Sequence, residues 1–115
     1  MKDIDMAVEL LEKEKLALAI VKDGKVIFSS SDKGIKPLYT AVKEQKNELE
    51  GSSIADRVTG RAAAMLCAYA GIKELKTKLI SDNAINILKE TGILYEYDEH
   101  TSYIKNRDKT GMCPV

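Results

Sequence analysis

The sequence predicts an α/β protein, a three-layer α/β/α sandwich around a mixed sheet of about five strands. Three observations favour this class. Helical and strand-like patterns alternate along the chain, turn signals near both ends suggest antiparallel hairpins, and one central helical pattern is almost free of charge. The chain has 115 residues, the usual size of one domain, so we expect a single domain over residues 1–115.

The charge balance and the hydropathy pattern exclude several classes of protein. The chain carries 18 basic and 18 acidic residues, so bulk charge favours neither nucleic acid nor an anionic membrane as a partner. The longest purely apolar run, Leu16–Val21, is too short to span a bilayer, and the acidic N-terminus does not resemble a secretion signal. We therefore expect a cytoplasmic protein with no membrane partner.

The first elements are a helix followed by a hairpin. Apolar residues spaced by four and three over 4–11 predict an amphipathic helix, and residues 16–21 form a buried strand pattern. Asp23 and Gly24 then precede a second strand beginning at Val26. This dipeptide is typical of a two-residue hairpin turn, because glycine accepts positive φ.

Two helices are predicted next. Pro37 suits the first turn of a helix that runs to Leu49. Ser53, followed three residues later by Asp56, resembles a capping box, so we expect a second helix to begin just after Ser53 and to end at Gly71.

The remaining elements are a strand, a helix and a second hairpin. Residues 76–80 form a short strand candidate, and Ser81 or Asp82 can cap a helix over 83–91. The final hairpin is predicted from two strand-like runs, 93–97 and 101–104.

The stretch "DRVTGRAAAMLCAYAG", residues 56–71, begins with charges and continues with small apolar residues. If this stretch is all helical, two opposite sides are nearly uncharged, which indicates a central, largely buried helix. Arg57 and Arg61 fall on the remaining flank beside the first-turn amides, where they could hold a carboxylate or phosphate. The alternative is that Asp56 only caps the helix and the arginines only form a solvated edge.

The cysteines and the single histidine give no metal-type spacing. Cys67 lies inside a predicted helix and is expected to be a small buried hydrophobe. Cys113, near Gly111 and Pro114, is the more accessible thiol and a candidate catalytic group, its alternative being a tail cysteine without function. His100 falls in the predicted hairpin turn, and we expect neither a metal nor another cofactor.

The element order and the stretch "DRVTGRAAAMLCAYAGI", with the terminal "GMCP", resemble an uncharacterised prokaryotic family of the cytidine deaminase-like superfamily. In deaminases of that fold, the helix after the first strand pair begins with an HAE motif and the next helix with PCxxC. The resemblance puts Arg61-Ala62-Ala63 and Ser81–Ile85 at these two positions, where every zinc ligand and the proton-shuttling glutamate are missing. It therefore implies a deaminase fold without the zinc-dependent hydrolysis. The predicted last hairpin resembles the antiparallel arrangement of the cytidine deaminase branch.

Even without zinc, two helix N-termini should converge at the carboxyl ends of the central strands, where open α/β sheets place ligands. Our leading hypothesis is binding of a small polar or anionic, nucleotide-like ligand there. Arg57 and Arg61 would pair with its charge, Asp56 (also a catalytic candidate) or Asp82 would accept its hydrogen bonds, and Cys113 would close over it. The predicted ligand-binding residues are Ser53, Asp56, Arg57, Gly60, Arg61, Ser81, Asp82 and Asn83.

Two other classes of function stay open. One is a thiol-dependent enzyme or redox sensor that uses Cys113 with Cys67 as its partner. The other is a non-catalytic module that assembles as a homo-oligomer through its apolar helix. Nucleic acid is a minor option, because the alternating Tyr95, Tyr97 and Tyr103 have no basic groove beside them.

Overall fold

The computed structural model describes residues 2–102 and contains four helices and five strands. Their order along the chain is α1 (Asp3–Lys13), β1 (Leu18–Lys22), β2 (Lys25–Ser30), α2 (Lys36–Leu49), β3 (Ser53–Thr59), α3 (Arg61–Ala70), β4 (Glu74–Ser81), α4 (Asp82–Lys89) and β5 (Leu94–Thr101).

The strands form one mixed sheet in the order β2-β1-β3-β4-β5. Strand β1 is antiparallel to both neighbours, whereas β3, β4 and β5 are mutually parallel. Strand β2 therefore runs in the same direction as β3. The ends of β2, β3, β4 and β5 all lie at one edge of the sheet, which we call the carboxyl edge, and the opposite one is the amino edge.

Helix α1 packs on one face of the sheet and the other three helices pack on the opposite face, so the predicted three-layer sandwich is confirmed. Strand β3 shows how alternation builds both layers. The side chain of Ile54 joins the core under α2, α3 and α4, while that of Ala55 joins the smaller core under α1. Both are almost fully buried, which is the environment of a central strand.

The first hairpin is confirmed. Asp23 and Gly24 both have positive φ, 52° and 77°, as a two-residue turn between twisted strands requires. The Asp3 carboxylate accepts hydrogen bonds of 2.9 Å from the amides of both turn residues. The start of α1 is thereby tied to the tip of the hairpin.

The helix predicted from just after Ser53 to Gly71 is wrong in its first half. Ser53–Thr59 is strand β3, Gly60 is the N-cap, and α3 covers only Arg61–Ala70. The end at Gly71 is confirmed, with φ of 72°. Hydrogen-bonded pairing on both sides of β3 outweighs the local capping pattern, and Ile54 gains a buried position that an isolated helix would not provide.

The second hairpin is also wrong. Residues 94–101 form one continuous strand parallel to β4, so the antiparallel arrangement expected from the cytidine deaminase branch is not present within the described residues. Acidic side chains of this strand lie beside one lysine of β4. The ammonium of Lys76 lies 3.4 Å from the Glu96 carboxylate and 3.9 Å from that of Asp98.

The other predicted elements are present with shifted ends. Helix α2 contains Pro37 in its first turn, and β4 extends the 76–80 candidate to Glu74–Ser81. Helix α4 ends at Lys89, two residues before its predicted end. Of the helices within residues 2–102, none is long and apolar enough to cross a lipid bilayer.

Candidate functional site at the carboxyl edge

Helices α2, α3 and α4 all begin at the carboxyl edge, on the same face of the sheet. Each follows directly or through a short loop from the end of a strand, β2, β3 and β4 respectively. Helix α3 packs against both of the others. This is the place where open α/β sheets bind ligands, because strand ends and helix N-termini leave polar backbone groups together.

Asp56 is the central polar group of this region. It lies near the end of β3 on the face covered by α3, and its Oδ2 accepts a hydrogen bond of 3.1 Å from the Thr59 hydroxyl. Burial raises the pKa of Asp56 to about 7 by stripping water from the charged form; hydrogen bonds from Thr59 and from the amides of Val58 and Arg57 only partly oppose this. Among residues 2–102, none forms a salt bridge with this carboxyl group.

Two buried threonines continue from Asp56 into the sheet. The hydroxyl oxygens of Thr59 and Thr77 lie 2.9 Å apart, and Thr77 donates to the carbonyl of Leu79 over 3.2 Å. If Asp56 is protonated, each hydroxyl can donate to the next and every proton has an acceptor. If Asp56 is ionised, Thr59 must donate back to it, and Thr77 is left to donate to either Thr59 or Leu79 but not to both. The neutral acid therefore completes the chain better.

Cys67 lies on α3 close to the hydrogen-bonded side chains of Asp56, Thr59 and Thr77, and it is 1% exposed. Burial raises the pKa of its thiol well above the usual range, and the nearby Asp56 charge raises it further. A thiol in this environment stays neutral, as expected of a small buried hydrophobe. Cys113, the other candidate thiol, lies outside the described residues.

The start of α3 has a positive character. Gly60 is its N-cap without a side-chain hydrogen bond, and the first turn contains no acidic residue. Arg61, the first helical residue, is exposed. Free amides at a helix N-terminus together with an adjacent guanidinium favour an anion.

The start of α4 is organised differently. Ser81 caps the helix by accepting a hydrogen bond of 3.1 Å from the amide of Ala84. The Asp82 carboxylate lies 3.0 Å from Nδ1 of His100 at the end of β5, and Asn83 is exposed. His100 was not predicted as a site residue, because the sequence pattern places this histidine in a hairpin turn.

Two predicted site residues are not part of this region. Ser53 begins β3 and is buried near the amino edge, about 20 Å from Gly60 at the usual rise per strand residue. Arg57 points to the α1 face. Its Nη2 donates a hydrogen bond of 3.0 Å to the Leu11 carbonyl and its Nε donates to that of Leu16, so it closes the end of α1. Both errors follow from treating β3 as a helix.

A surface pocket of about 650 Å³ lies where β2 ends and α2 begins. The sheet register relates this pocket to Asp56, because Ser30, Leu18 and Asp56 lie in one row across neighbouring strands. Two strand spacings separate Ser30 from Asp56, about 10 Å. Within residues 2–102, Lys33 and Lys36 at this pocket form no salt bridge. The pocket is lined by Phe28, Ser30, Ser31, Asp32, Lys33, Lys36, Pro37 and Thr40.

The two helix starts that correspond to the zinc motifs of deaminases differ from those predicted. The helix after the first strand pair is α2, and the next one is α3, whereas the sequence placed the motifs at the starts of α3 and α4. They carry Lys36-Pro37 and Arg61-Ala62, and no group of three His, Cys, Asp or Glu side chains within residues 2–102 could hold a metal ion. Cationic and aliphatic side chains do not fit zinc.

The comparison with solved structures supports the fold described above. The chain is similar to the DUF1893 family protein TM1506 from Thermotoga maritima, with a TM-score of 0.87 and 33% identity over 99% of this chain and 77% of that one. It is more distantly similar to the dCMP deaminase of cyanophage S-TIM5 in its apo form, with a TM-score of 0.56 and 17% identity over 86% and 94% of the two chains. The second likeness shows a cytidine deaminase-like fold and nothing about activity.

None of the curated proteins is significantly similar to the chain. The sequence model of the TM1506 family, described as a domain of unknown function (DUF1893), matches residues 6–115. The chain therefore belongs to the DUF1893 family.

Proposed function

We propose that this protein binds a small polar or anionic, nucleotide-like ligand at the carboxyl edge, between the starts of α2 and α3. The observation that carries the proposal is Asp56, a carboxyl group without a cationic partner among residues 2–102, held beneath a helix start with its pKa raised to about 7. A carboxyl group that titrates near neutral pH can either donate or accept a hydrogen bond there. It can also accept or release a proton, as a general acid or base must.

The cationic side chains at the starts of α2 and α3 favour an anionic part of the ligand. Arg61 stands at the uncapped start of α3, and Lys36 opens α2, whose first turn likewise has no acidic residue and no capping side chain. Lys33 adds a further cation beside the pocket, against the single acid Asp32. A phosphate or carboxylate placed here would contact cations and helix amides together.

A nucleotide combines the two requirements. Its phosphate matches the cationic helix starts, and its base offers both hydrogen-bond donors and acceptors to Asp56. The distant structural relative is a dCMP deaminase, which makes dCMP a reasonable first compound to test on this chain.

The test is a thermal-shift screen with nucleoside monophosphates, dCMP among them, followed by calorimetry of any compound that binds. Asp56→Asn and Arg61→Ala should each weaken binding about tenfold or more, as the loss of a charge-assisted hydrogen bond does. Lys73→Ala is the matched control, because Lys73 is exposed and directly precedes β4 at the amino edge. Unchanged affinity in both site variants would refute the assignment.

Oligomerisation and location are separate proposals. Met65 and Tyr69 on α3 are 50% and 65% exposed, so an apolar strip of this helix is available to a second copy of the chain. We propose a cytoplasmic protein of one domain that forms a homo-oligomer. Light scattering that finds only monomer would contradict the assembly.

A further inference from the structure

The pair Asp82–His100 lies at the β5 end of the same edge and is not explained by the requirements of the fold. The start of α4 already has its cap, because the Ser81 hydroxyl accepts from the Ala84 amide. The Asp82 carboxylate is therefore not needed as a cap and instead contacts Nδ1 of His100 at 3.0 Å. Side chains of both residues are more than half exposed, 51% and 60%, so the contact does not satisfy a buried group.

The pair lies next to the row of strand residues that contains Asp56 and Thr77, and Tyr97 connects the two. Thr77 is paired in the β4–β5 register with Tyr97. The Tyr97 ring meets His100 edge to face, with ring centroids 5.9 Å apart and planes inclined by 76°. Asp56, Thr77 and Tyr97 thus form one row across β3, β4 and β5, two strand spacings or about 10 Å wide, and His100 lies beside its β5 end.

The hydrogen bond determines which nitrogen of His100 is free. A carboxylate only accepts, so the proton between the two residues belongs to Nδ1. In the neutral imidazole this leaves Nε2 with a lone pair, and among residues 2–102 no side chain or backbone group is hydrogen-bonded to it. An imidazole paired with a carboxylate in this way presents Nε2 as a hydrogen-bond acceptor.

We propose that His100, positioned by Asp82, is a second binding subsite of the carboxyl edge, whose Nε2 accepts a hydrogen bond from a hydroxyl or amino group of the ligand. That a ligand binds at this edge rests on the function proposed above. The tautomer of His100 does not depend on that proposal, because it can be measured without any ligand.

The first experiment uses nitrogen NMR of the single histidine in the chain. Free neutral histidine prefers the Nε2–H tautomer, so the pair should reverse this preference and give mainly Nδ1–H. Asp82→Ala should restore Nε2–H, whereas Glu96→Ala, which removes an exposed acid near the start of β5 that pairs with Lys76, should not. A wild-type histidine in the Nε2–H form, or one unaffected by Asp82→Ala, would overturn the proposal.

The second experiment separates a subsite from a structural brace. Asn can mimic the Nδ1 side of histidine and Gln the Nε2 side, so His100→Asn keeps a donor for Asp82 and loses the free acceptor. With dCMP as the probe, we expect His100→Asn to bind about tenfold more weakly at unchanged thermal stability, and His100→Gln to bind more tightly than His100→Asn.

The outcomes distinguish the two proposals. Wild-type affinity in His100→Asn, with binding lost in Asp56→Asn, overturns the subsite and leaves the proposed function standing. No binding of dCMP or of any other monophosphate to the wild-type protein refutes the proposed function, while the tautomer still decides the state of the pair.

Discussion

The two edges of the sheet differ in whether their buried hydroxyl groups have hydrogen-bond partners. At the carboxyl edge, the hydroxyls of Thr59, Thr77 and Ser81 all have hydrogen-bond partners. Near the amino edge, Ser52 is fully buried and its Oγ has no partner among the described residues. Since an unpaired buried hydroxyl costs free energy, polar residues at the carboxyl edge are organised and Ser52 is not. The fold therefore accommodates its buried hydroxyls by hydrogen bonding at the carboxyl edge and leaves one without a partner near the amino edge, among the described residues.

The largest effect that can test this contrast is the pH dependence caused by Asp56. Its pKa is about 7 in the folded protein and 3.8 in a model environment, so below about pH 4 both folded and unfolded chains carry the proton. Between these values the folded chain binds more protons, and stability falls as the pH rises. The full shift corresponds to at most about 4 kcal/mol, and hydration of the half-buried side chain makes the loss smaller. The loss is complete about one pH unit above the folded pKa.

Asp56→Asn should remove this part of the pH dependence, because the amide does not titrate. Urea unfolding from pH 4 to pH 8 should show a smaller decline in the free energy of unfolding than in the wild-type protein. Glu96→Gln, an exposed acid on β5, is the control and should leave the slope unchanged. An identical slope in wild type and Asp56→Asn would contradict the buried state of this carboxyl group.

The next effect concerns the threonine chain. Thr59→Val removes the hydroxyl between Asp56 and Thr77 and should lower the free energy of unfolding by about 1–3 kcal/mol, since both neighbours lose a buried partner. Thr59→Ser keeps the hydroxyl and should cost clearly less. Equal stability of the Val and Ser variants in chemical unfolding would argue against a connected chain.

The smallest expected effect compares one serine from each edge. Ser81→Ala removes the cap of α4 and should cost about 1 kcal/mol. Ser52→Ala removes a buried hydroxyl without a partner and should be neutral or stabilise the protein by up to about 1 kcal/mol. Thermal unfolding of the two variants measures the difference, and a larger loss in Ser52→Ala than in Ser81→Ala would reverse the contrast between the edges.

Local signals were sufficient for some elements. The Asp23-Gly24 turn, Pro37 and Gly71 each depend on backbone conformations that the neighbouring residues decide, and all three were found from the sequence. The class of fold was also predicted correctly. The predicted number of strands agrees because two errors cancel: β3 was assigned to a helix, and β5 was predicted as two strands.

Strands β3 and β5 were misassigned because their determinants are remote in sequence. Strand β3 is held between β1 and β4, and the acidic half of β5 faces Lys76 on β4. Neither partner can be inferred from residues nearby. The same reason applies to the candidate site. Thr77, which is hydrogen-bonded to Thr59, and His100, which contacts Asp82, reach these neighbours only through the register of parallel strands.

The most direct test of the account is the titration of the Asp56 carboxyl carbon by NMR, with Asp56→Asn used to assign the signal. We expect a midpoint near pH 7, since burial without a cationic partner among residues 2–102 raises the pKa of this group to about 7. A midpoint near 4, the value of an ordinary exposed aspartate, would show that the carboxyl group is hydrated and would contradict the central role given to it.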